Sequence, residues 1–245
     1  IGDFSFSEGM RKRLYIHGES RFCHQDTPLR RLYLRVSKAI GIRARPLRER
    51  GDLVLSNSKW SSDQLSRYFS LDDCPVLYPP VVLPRAETER DRDPLGFVCL
   101  GRVVPEKEIE RIIEILEKVR SHGFPVRLTL IGSLDDSDYS RRIAEKLQEK
   151  DWIQPEGLLA LKRKQEILST QSFALHACRI EAFGIAVAEM ASMGCVPFVP
   201  DTGGAGEIVS LPALQYAEVD EAVEKILAIL RDPDEAERIR EELPE

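Results

Sequence analysis

Two glutamates near the C-terminus, Glu181 and Glu189, are candidates for binding the hydroxyl groups of a ligand. They lie in residues 176–209, which read HACRIEAFGIAVAEMASMGCVPFVPDTGGAGEIV. Glu189 falls within an apolar helix predicted to begin near Gly184, where an ionised carboxylate is costly unless a partner satisfies it. Glu181 precedes the first-turn amides of that helix, which also favour a bound anion. Capping and a core salt bridge would explain the two acids separately, whereas a sugar nucleotide offers hydroxyls for both and a phosphate for the helix terminus.

Two cations, Arg102 and Lys107, indicate chemistry of the same kind. They follow a predicted strand at residues 95–100, in the loop GRVVPEK. A guanidinium and an ammonium suit a diphosphate, and each charge-assisted hydrogen bond is worth about 1.5 to 3 kcal/mol. Taken alone, two surface cations would explain them more simply. A Rossmann dehydrogenase needs Gly-x-Gly-x-x-Gly at this turn, and the cationic loop argues against that alternative.

The elements that position these residues alternate between strand and helix, which predicts an α/β fold with a doubly wound parallel sheet. Ligands of such a sheet bind beyond the carboxyl ends of its strands, where both candidate loops fall. The helix after Gly184 is apolar nearly all round and is expected to be buried. Strands are predicted at residues 95–100, 126–131, 152–153, 172–177, 195–199 and 214–216. Helices are predicted at residues 109–119, 140–148, 162–169, from 184, 219–230 and 233–243.

The chain is predicted to contain two domains. Residues 85–94, RAETERDRDP, lack apolar periodicity and strand formers, which is typical of a linker. They separate a partial N-terminal Rossmann-like domain, residues 1–84, from a C-terminal domain, residues 95–245. The predicted elements of the first domain are strands at 13–17, 52–57 and 76–78 and helices at 29–40 and 58–69.

Composition narrows the class of protein. With 42% hydrophobic residues the chain can bury a core, and no apolar stretch approaches the ~20 residues of a membrane span. The five cysteines lack any CxxC or Cys/His metal spacing, which predicts reduced thiols in a cytoplasmic protein and disfavours structural zinc. Residues 1–52 hold twelve Lys/Arg against six Asp/Glu. This basic part suits contact with an anionic membrane surface, or is simply a solvated arginine-rich helix; nucleic acid is not an expected partner.

The run from Glu181 to Val209 closely resembles the signature of the family 4 retaining glycosyltransferases, which have the GT-B fold. That signature contains Glu-x-Phe-Gly, a second glutamate eight positions after the first, Gly-x-Pro-Val and Gly-Gly-x-x-Glu-Ile-Val. The loop GRVVPEK is similar to the family's Gly-Arg-x-x-Pro-Glu-Lys, with Glu108 where glycine is usual. LVLSNSKWSSDQLSRYF and VLYPPVV resemble the end of the family's N-terminal domain. Ala182 and Val196 are further small departures.

The resemblance implies a role for each candidate residue. The donor diphosphate would be held by the side chains and backbone amides of one group, Arg102, Lys107, Phe183, Gly184 and Ile185. Glu189 would accept hydrogen bonds from the ribose, and Glu181 from the donor sugar. His17 resembles a family histidine near the cleft, with a contact to donor phosphate or acceptor.

The resemblance further implies a mannosyltransferase-like hexosyltransferase that needs neither metal nor cofactor. Its best-matched donor is GDP-mannose, although UDP- and ADP-sugar enzymes share the same clamp, and its acceptor would be a glycan or a lipid-linked glycan. Because residues 1–84 cover only part of the family's first domain, a nucleotide-sugar-binding module or an inactive fragment or subunit remains the alternative. A phosphorylase-like enzyme would require a lysine that binds pyridoxal phosphate, and the sequence indicates no particular lysine for this role.

Overall fold

The computed structural model describes residues 13–16, 53–69, 71–72, 74–81 and 91–243. The chain divides into two compact units, Ile1–Pro79 and Pro80–Glu245. His17 and the helix predicted at 29–40 lie outside the described residues, as does most of the predicted linker. The predicted domain limits therefore stay a prediction.

The described residues of the first unit form two parallel strands and a helix, β1 (Arg13–Ile16), β2 (Leu53–Ser56) and α1 (Lys59–Phe69). Ser58 precedes the helix, and its hydroxyl oxygen accepts a hydrogen bond from the amide of Ser61 at 2.9 Å, as an N-cap does. Among the residues described in this unit, a cluster of buried side chains is formed by Val54, Leu65 and Cys74. The strand predicted at 76–78 is wrong, because Val76 makes only an isolated bridge to Ser56.

The second unit alternates strands with helices, as predicted, with ends that differ by a few residues. Its strands are β3 (Asp93–Leu100), β4 (Arg127–Ile131), β5 (Ile153–Gly157), β6 (Gln171–Leu175), β7 (Val196–Pro200) and β8 (Gln215–Tyr216). Its helices are α2 (Ile109–Ser121), α3 (Asp138–Gln148), α4 (Leu161–Leu168), α5 (Ile185–Ser192), α6 (Ala205–Val209), α7 (Val219–Arg231) and α8 (Pro233–Glu242). The short helix α6 was not predicted.

The six strands form one parallel sheet in the order β5-β4-β3-β6-β7-β8. The chain builds outward from β3 to β5, returns to the other side of β3, and builds outward again from β6 to β8. The direction of winding therefore reverses between β3 and β6, and in such sheets ligands bind at the carboxyl end of this switch point. This arrangement confirms the predicted α/β class with a doubly wound sheet.

The core of the sheet is covered on both faces. All five residues of β7 are buried, and aromatic rings from three neighbouring strands stack upon one another, with Phe97 5.0 Å from Phe173 and 6.4 Å from Phe198. The prediction that α5 is buried all round is wrong. Only Val187 and Met190 of this helix are fully buried, and Ile185 is 50% exposed, because α5 packs on the sheet along one face.

The cysteines of the described residues agree with the predicted reduced thiols. Cys74, Cys99, Cys178 and Cys195 are all free and buried. Among the helices that the structure describes, none combines the length and apolar character needed to cross a membrane.

Candidate active site

The loop after β3 brings Lys107 to the carboxyl edge of the sheet. Lys107 ends a short 3-10 turn that Pro105 opens. Two side chains of helix α3 hold this loop by hydrogen bonds. Ser140 Oγ donates to the carbonyl of Val103 at 3.0 Å, and Tyr139 Oη accepts from the amide of Ile109 at 3.0 Å. The position of the lysine therefore depends on two buried side chains of α3.

Lys107 Nζ contacts Oε2 of Glu181, which lies in the loop after β6. The two side chains are 21% and 19% exposed, so this ion pair is largely shielded from water. The structure thus brings together Lys107, which was predicted to bind the diphosphate, and Glu181, which was predicted to bind the sugar. Arg102 does not join them: its side chain is exposed and pairs with no group among the described residues.

The glycine pair after β7 supports the backbone of the Glu181 loop. The amide of Gly204 donates to the carbonyl of Glu181 at 2.7 Å. A Cβ at residue 204 would lie 2.3 Å from the carbonyl oxygen of Ala182, so only glycine allows this close approach. Gly203 and Gly204 therefore help to fix the backbone of the loop that carries Glu181.

The N-terminus of α5 lies directly after this loop. Gly184 occupies the N-cap position with a φ of 104°, in the left-handed region that favours glycine, and as a glycine it supplies no side-chain cap of its own. Phe183 is buried, while Ile185, the first residue of the helix, is half-exposed. First-turn amides and the helix dipole favour an anion at such a terminus.

His176 is a site residue that the sequence analysis missed. It is 2% exposed, and its Nε2 lies 3.5 Å from Oε2 of Glu181 without a hydrogen-bond partner in the described part of the chain. Its backbone is fixed on both sides, since its amide donates to Phe198 O at 2.9 Å and its carbonyl accepts from Tyr216 Oη at 2.6 Å. The available signal was a histidine at the carboxyl end of the apolar run SFALHA.

The three groups set one another's protonation states. Burial alone would raise the pKa of Glu181, but His176 and the charge of Lys107 lower it to about 2. For Lys107 the effects are reversed. Burial alone would lower the pKa of Lys107, but the neighbouring Glu181 carboxylate outweighs burial and raises the pKa above its usual value. The pKa of His176 is lowered, chiefly by burial. At neutral pH the cluster therefore consists of a carboxylate, an ammonium and a neutral imidazole.

Within the described residues, three possible metal ligands lie close together: atoms of His176, Cys178 and Glu181 are within 4.8 Å of one another. Burial raises the pKa of the Cys178 thiol to about 11, which disfavours the thiolate that a metal requires. The ammonium of Lys107 already compensates the Glu181 charge. An ion pair between Glu181 and Lys107 therefore describes this site better than a divalent-metal site does.

Glu189 is satisfied by a partner on the neighbouring helix. Lys164 of α4 donates to its Oε1 at 2.8 Å, and the two side chains are 17% and 19% exposed. This ion pair offsets the desolvation cost that we expected for an ionised carboxylate on an apolar helix. The ribose contact of Glu189 stays a prediction.

The larger part of this chain matches the model of one known protein family. Residues 84–245 match the family model described as Glycosyl transferases group 1. The chain belongs to this family. The predicted family membership is therefore confirmed.

This group 1 glycosyl transferase is similar to larger curated proteins. One is the GDP-Man:Man(3)GlcNAc(2)-PP-Dol alpha-1,2-mannosyltransferase of Yarrowia lipolytica, with 26% identity over 62% of this chain and 27% of the relative. Another is the phosphatidylinositol N-acetylglucosaminyltransferase GPI3 subunit of Saccharomyces cerevisiae, with 28% identity over 55% of this chain and 30% of the relative. The chain thus spans less than a third of the length of either.

The fold of this group 1 glycosyl transferase also occurs in solved structures. The crystal structure of TarM superposes with a TM-score of 0.73 at 15% identity, over 96% of this chain and 46% of TarM. S. aureus TarM has also been solved with UDP bound. At this identity the likeness concerns the fold, and it confirms the predicted GT-B class.

Proposed function

We propose that this chain supplies the donor site of a hexosyltransferase, which moves a hexose from a nucleoside-diphosphate sugar to a glycan or lipid-linked acceptor. The observation that carries the proposal is the contact of Lys107 with Glu181 at the switch point, in the loop that leads into the N-terminus of α5. A cation and a helix terminus suit the diphosphate, and a carboxylate suits the sugar hydroxyls. All three lie at the sheet edge where ligands of this fold class bind.

The reaction separates a sugar from a diphosphate, so negative charge develops on the departing phosphate oxygen. Groups that are already in place stabilise that charge, so the solvent does not have to reorganise around it. These groups are Lys107, the exposed Arg102 and the backbone amides from Phe183 to Ile185. The acceptor hydroxyl oxygen forms the new bond to the anomeric carbon as the carbon–phosphate oxygen bond breaks. Its proton passes to the departing phosphate oxygen, and attack from the same face retains the anomeric configuration.

Positive charge for this step comes from the protein, so the proposed reaction needs no metal or other cofactor. Lys107 and the α5 terminus take the place that a magnesium ion fills in many diphosphate sites. The raised thiol pKa of Cys178 and the charge compensation of Glu181 support this choice. Turnover that persists in excess chelator is the expected result, whereas turnover that requires added Mg²⁺ or Mn²⁺ contradicts it.

GDP-mannose is the proposed donor. The support is the similarity to relatives named as GDP-Man mannosyltransferases. A relative named as an N-acetylglucosaminyltransferase and the UDP complex of TarM make UDP-sugars the necessary comparison. Glu189 would contact the ribose, which all these donors share, so the donor base must be recognised elsewhere.

A cytoplasmic membrane surface is the proposed working location. The names of the relatives specify PP-Dol and phosphatidylinositol acceptors, which are lipid-linked. Residues 1–52 carry twelve Lys/Arg against six Asp/Glu, and such a balance favours an anionic lipid surface. Reduced cysteines accord with the cytoplasm.

A nucleotide-sugar-binding module without turnover is the second candidate. It is favoured by the small share of the relatives that the chain spans, 27% for the Yarrowia lipolytica protein. The enzyme is preferred because Lys107, Glu181 and the α5 terminus are all assembled in this chain. Product formation distinguishes the two: the module binds donor and yields neither transfer nor donor hydrolysis.

The experiment that tests the proposal is a thermal-unfolding panel with GDP-mannose, UDP-N-acetylglucosamine, UDP-glucose and ADP-glucose. A ligand at 100 times its dissociation constant adds about 2.7 kcal/mol to the free energy of unfolding. Of these four ligands, we expect the largest stabilisation from GDP-mannose. Stabilisation by none of the four would overturn the proposal.

A further inference from the structure

We propose that His176 is a positioning residue, which holds Glu181 toward the donor sugar once Lys107 has moved onto the diphosphate. The role rests on the proposed function. Lys107 and His176 approach the same carboxylate oxygen, Oε2 of Glu181. With the ammonium bound there, the imidazole Nε2 stays 3.5 Å away, which is beyond a normal hydrogen bond.

The two partners of Glu181 differ in how firmly they are held. His176 is fully buried, and its backbone is tied to Phe198 and to the side chain of Tyr216. Lys107 ends in a flexible four-carbon stem, so its ammonium can reach a neighbouring phosphate oxygen. The lysine is therefore the partner that leaves when an anion binds, and the histidine is the partner that remains.

A buried ring nitrogen without a hydrogen-bond partner is costly. In the part of the chain that the structure describes, Nε2 of His176 has none, and Oε2 of Glu181 lies 3.5 Å from it. When Lys107 transfers to the donor, Oε2 of Glu181 is released and the imidazole N–H can close the gap. Burial keeps His176 neutral, so it orients the carboxylate without cancelling its charge. Oε1 of Glu181 is left to accept from a hydroxyl of the donor sugar.

Two substitutions separate this role from simple packing. Glutamine at residue 176 carries an amide N–H near the position of Nε2, whereas leucine fills the space without a donor. If His176 only packs, leucine suits the apolar end of β6 better than glutamine does. If it orients Glu181, glutamine preserves function and leucine does not. His122, an exposed histidine after α2, provides the control substitution His122→Leu.

The measurement is the affinity of each protein for a nucleoside diphosphate and for its sugar conjugate, by calorimetry at pH 7.5. The ratio of the two dissociation constants reports the sugar contact alone. In His176→Leu we expect the nucleoside diphosphate to bind within about twofold of wild type and the sugar-dependent gain to fall about tenfold. His176→Gln should recover most of the gain, and His122→Leu should retain all of it.

The outcomes that overturn the role are distinct from failure of the proposed function. Absence of nucleotide-sugar binding in the wild type overturns the proposed function and the role with it. A wild type with a sugar-dependent gain that His176→Leu retains overturns the role alone. Equal losses in folded leucine and glutamine variants, or an equal loss of nucleoside diphosphate affinity, also overturn it, since packing then explains the effect.

Discussion

Lys107 and Glu181 are 74 positions apart in the chain, yet their charged groups meet between the carboxyl ends of β3 and β6. The contact keeps the carboxylate ionised in a largely shielded site, because an opposite charge offsets the burial of Glu181. The contact also holds the ammonium of Lys107 next to the position where the proposed donor places its diphosphate. The pair therefore prepares the site for a ligand that carries both negative charge and hydroxyl groups.

Replacing Lys107 by methionine keeps most of the side-chain length and removes the charge. Because that charge stabilises the departing diphosphate, we expect transfer or donor hydrolysis to slow about 10²- to 10³-fold. The control is Lys118→Met, which removes an exposed lysine of α2 that pairs with Asp220. Its rate should stay within about twofold of wild type, because exposed ion pairs contribute little. Near-normal initial rates in Lys107→Met would exclude the assigned role.

Glu181 makes the stability of the fold depend on pH. Its pKa is about 2 in the fold against an ordinary 4.5, so the carboxylate stabilises the protein above pH 4.5, and this stabilisation is lost as the pH falls toward 2. The loss relative to Glu181→Gln is on the order of 3 kcal/mol. Urea unfolding of both proteins between pH 6 and pH 2.5 measures it. A difference that does not shrink on acidification would contradict the lowered pKa.

Gly204→Ala tests the support of the Glu181 loop. The added methyl group would lie 2.3 Å from the carbonyl oxygen of Ala182, so the backbone must shift. We expect a loss of about 1 to 3 kcal/mol in the free energy of unfolding, together with weaker binding of the donor sugar. Gly206→Ala is the control, because the methyl group added to this residue of α6 would lie 3.6 Å from the side chain of Gln215, which is an ordinary van der Waals contact. Equal behaviour of the two variants in thermal unfolding and calorimetry would refute the assignment.

Glu189→Gln tests the ribose contact. If Glu189 accepts from ribose hydroxyls, the variant binds a nucleoside diphosphate about tenfold more weakly, and a dideoxyribose analogue binds wild type and variant alike. If Glu189 only pairs with Lys164, both Glu189→Gln and Lys164→Met lower stability and leave the affinities unchanged. Calorimetric titration of both ligands into the three proteins decides between these results.

The sheet could be predicted from the sequence because its signals are local. The central strands β3, β6 and β7 contain short apolar runs, and β7 is buried along its whole length. Turn residues mark the ends of elements: Gly194, which follows α5, has a φ of 84° in the left-handed region. Most predicted site residues of this unit lie in the loops after β3 and β6 or at the start of α5, as loop chemistry indicated, and Glu189 lies within α5.

The contacts within the site could not be predicted, because they depend on which strands become neighbours. Lys107 and Glu181 were assigned to different parts of the ligand, and only the placement of β6 beside β3 brings them together. Likewise, the partner of Glu189 comes from α4, a helix whose position no local pattern specifies. His176 was missed because, without its neighbours, it reads as the end of a strand.

The central claim is that a donor diphosphate lies between Lys107 and the N-terminus of α5. The most direct measurement is a crystal structure of the protein with a nucleoside diphosphate bound. We expect a phosphate oxygen within about 2.7 to 3.2 Å of Lys107 Nζ, with Glu181 released from the lysine and the first-turn amides of α5 facing the phosphates. A bound diphosphate away from this terminus, with the Lys107–Glu181 contact intact, would contradict the claim.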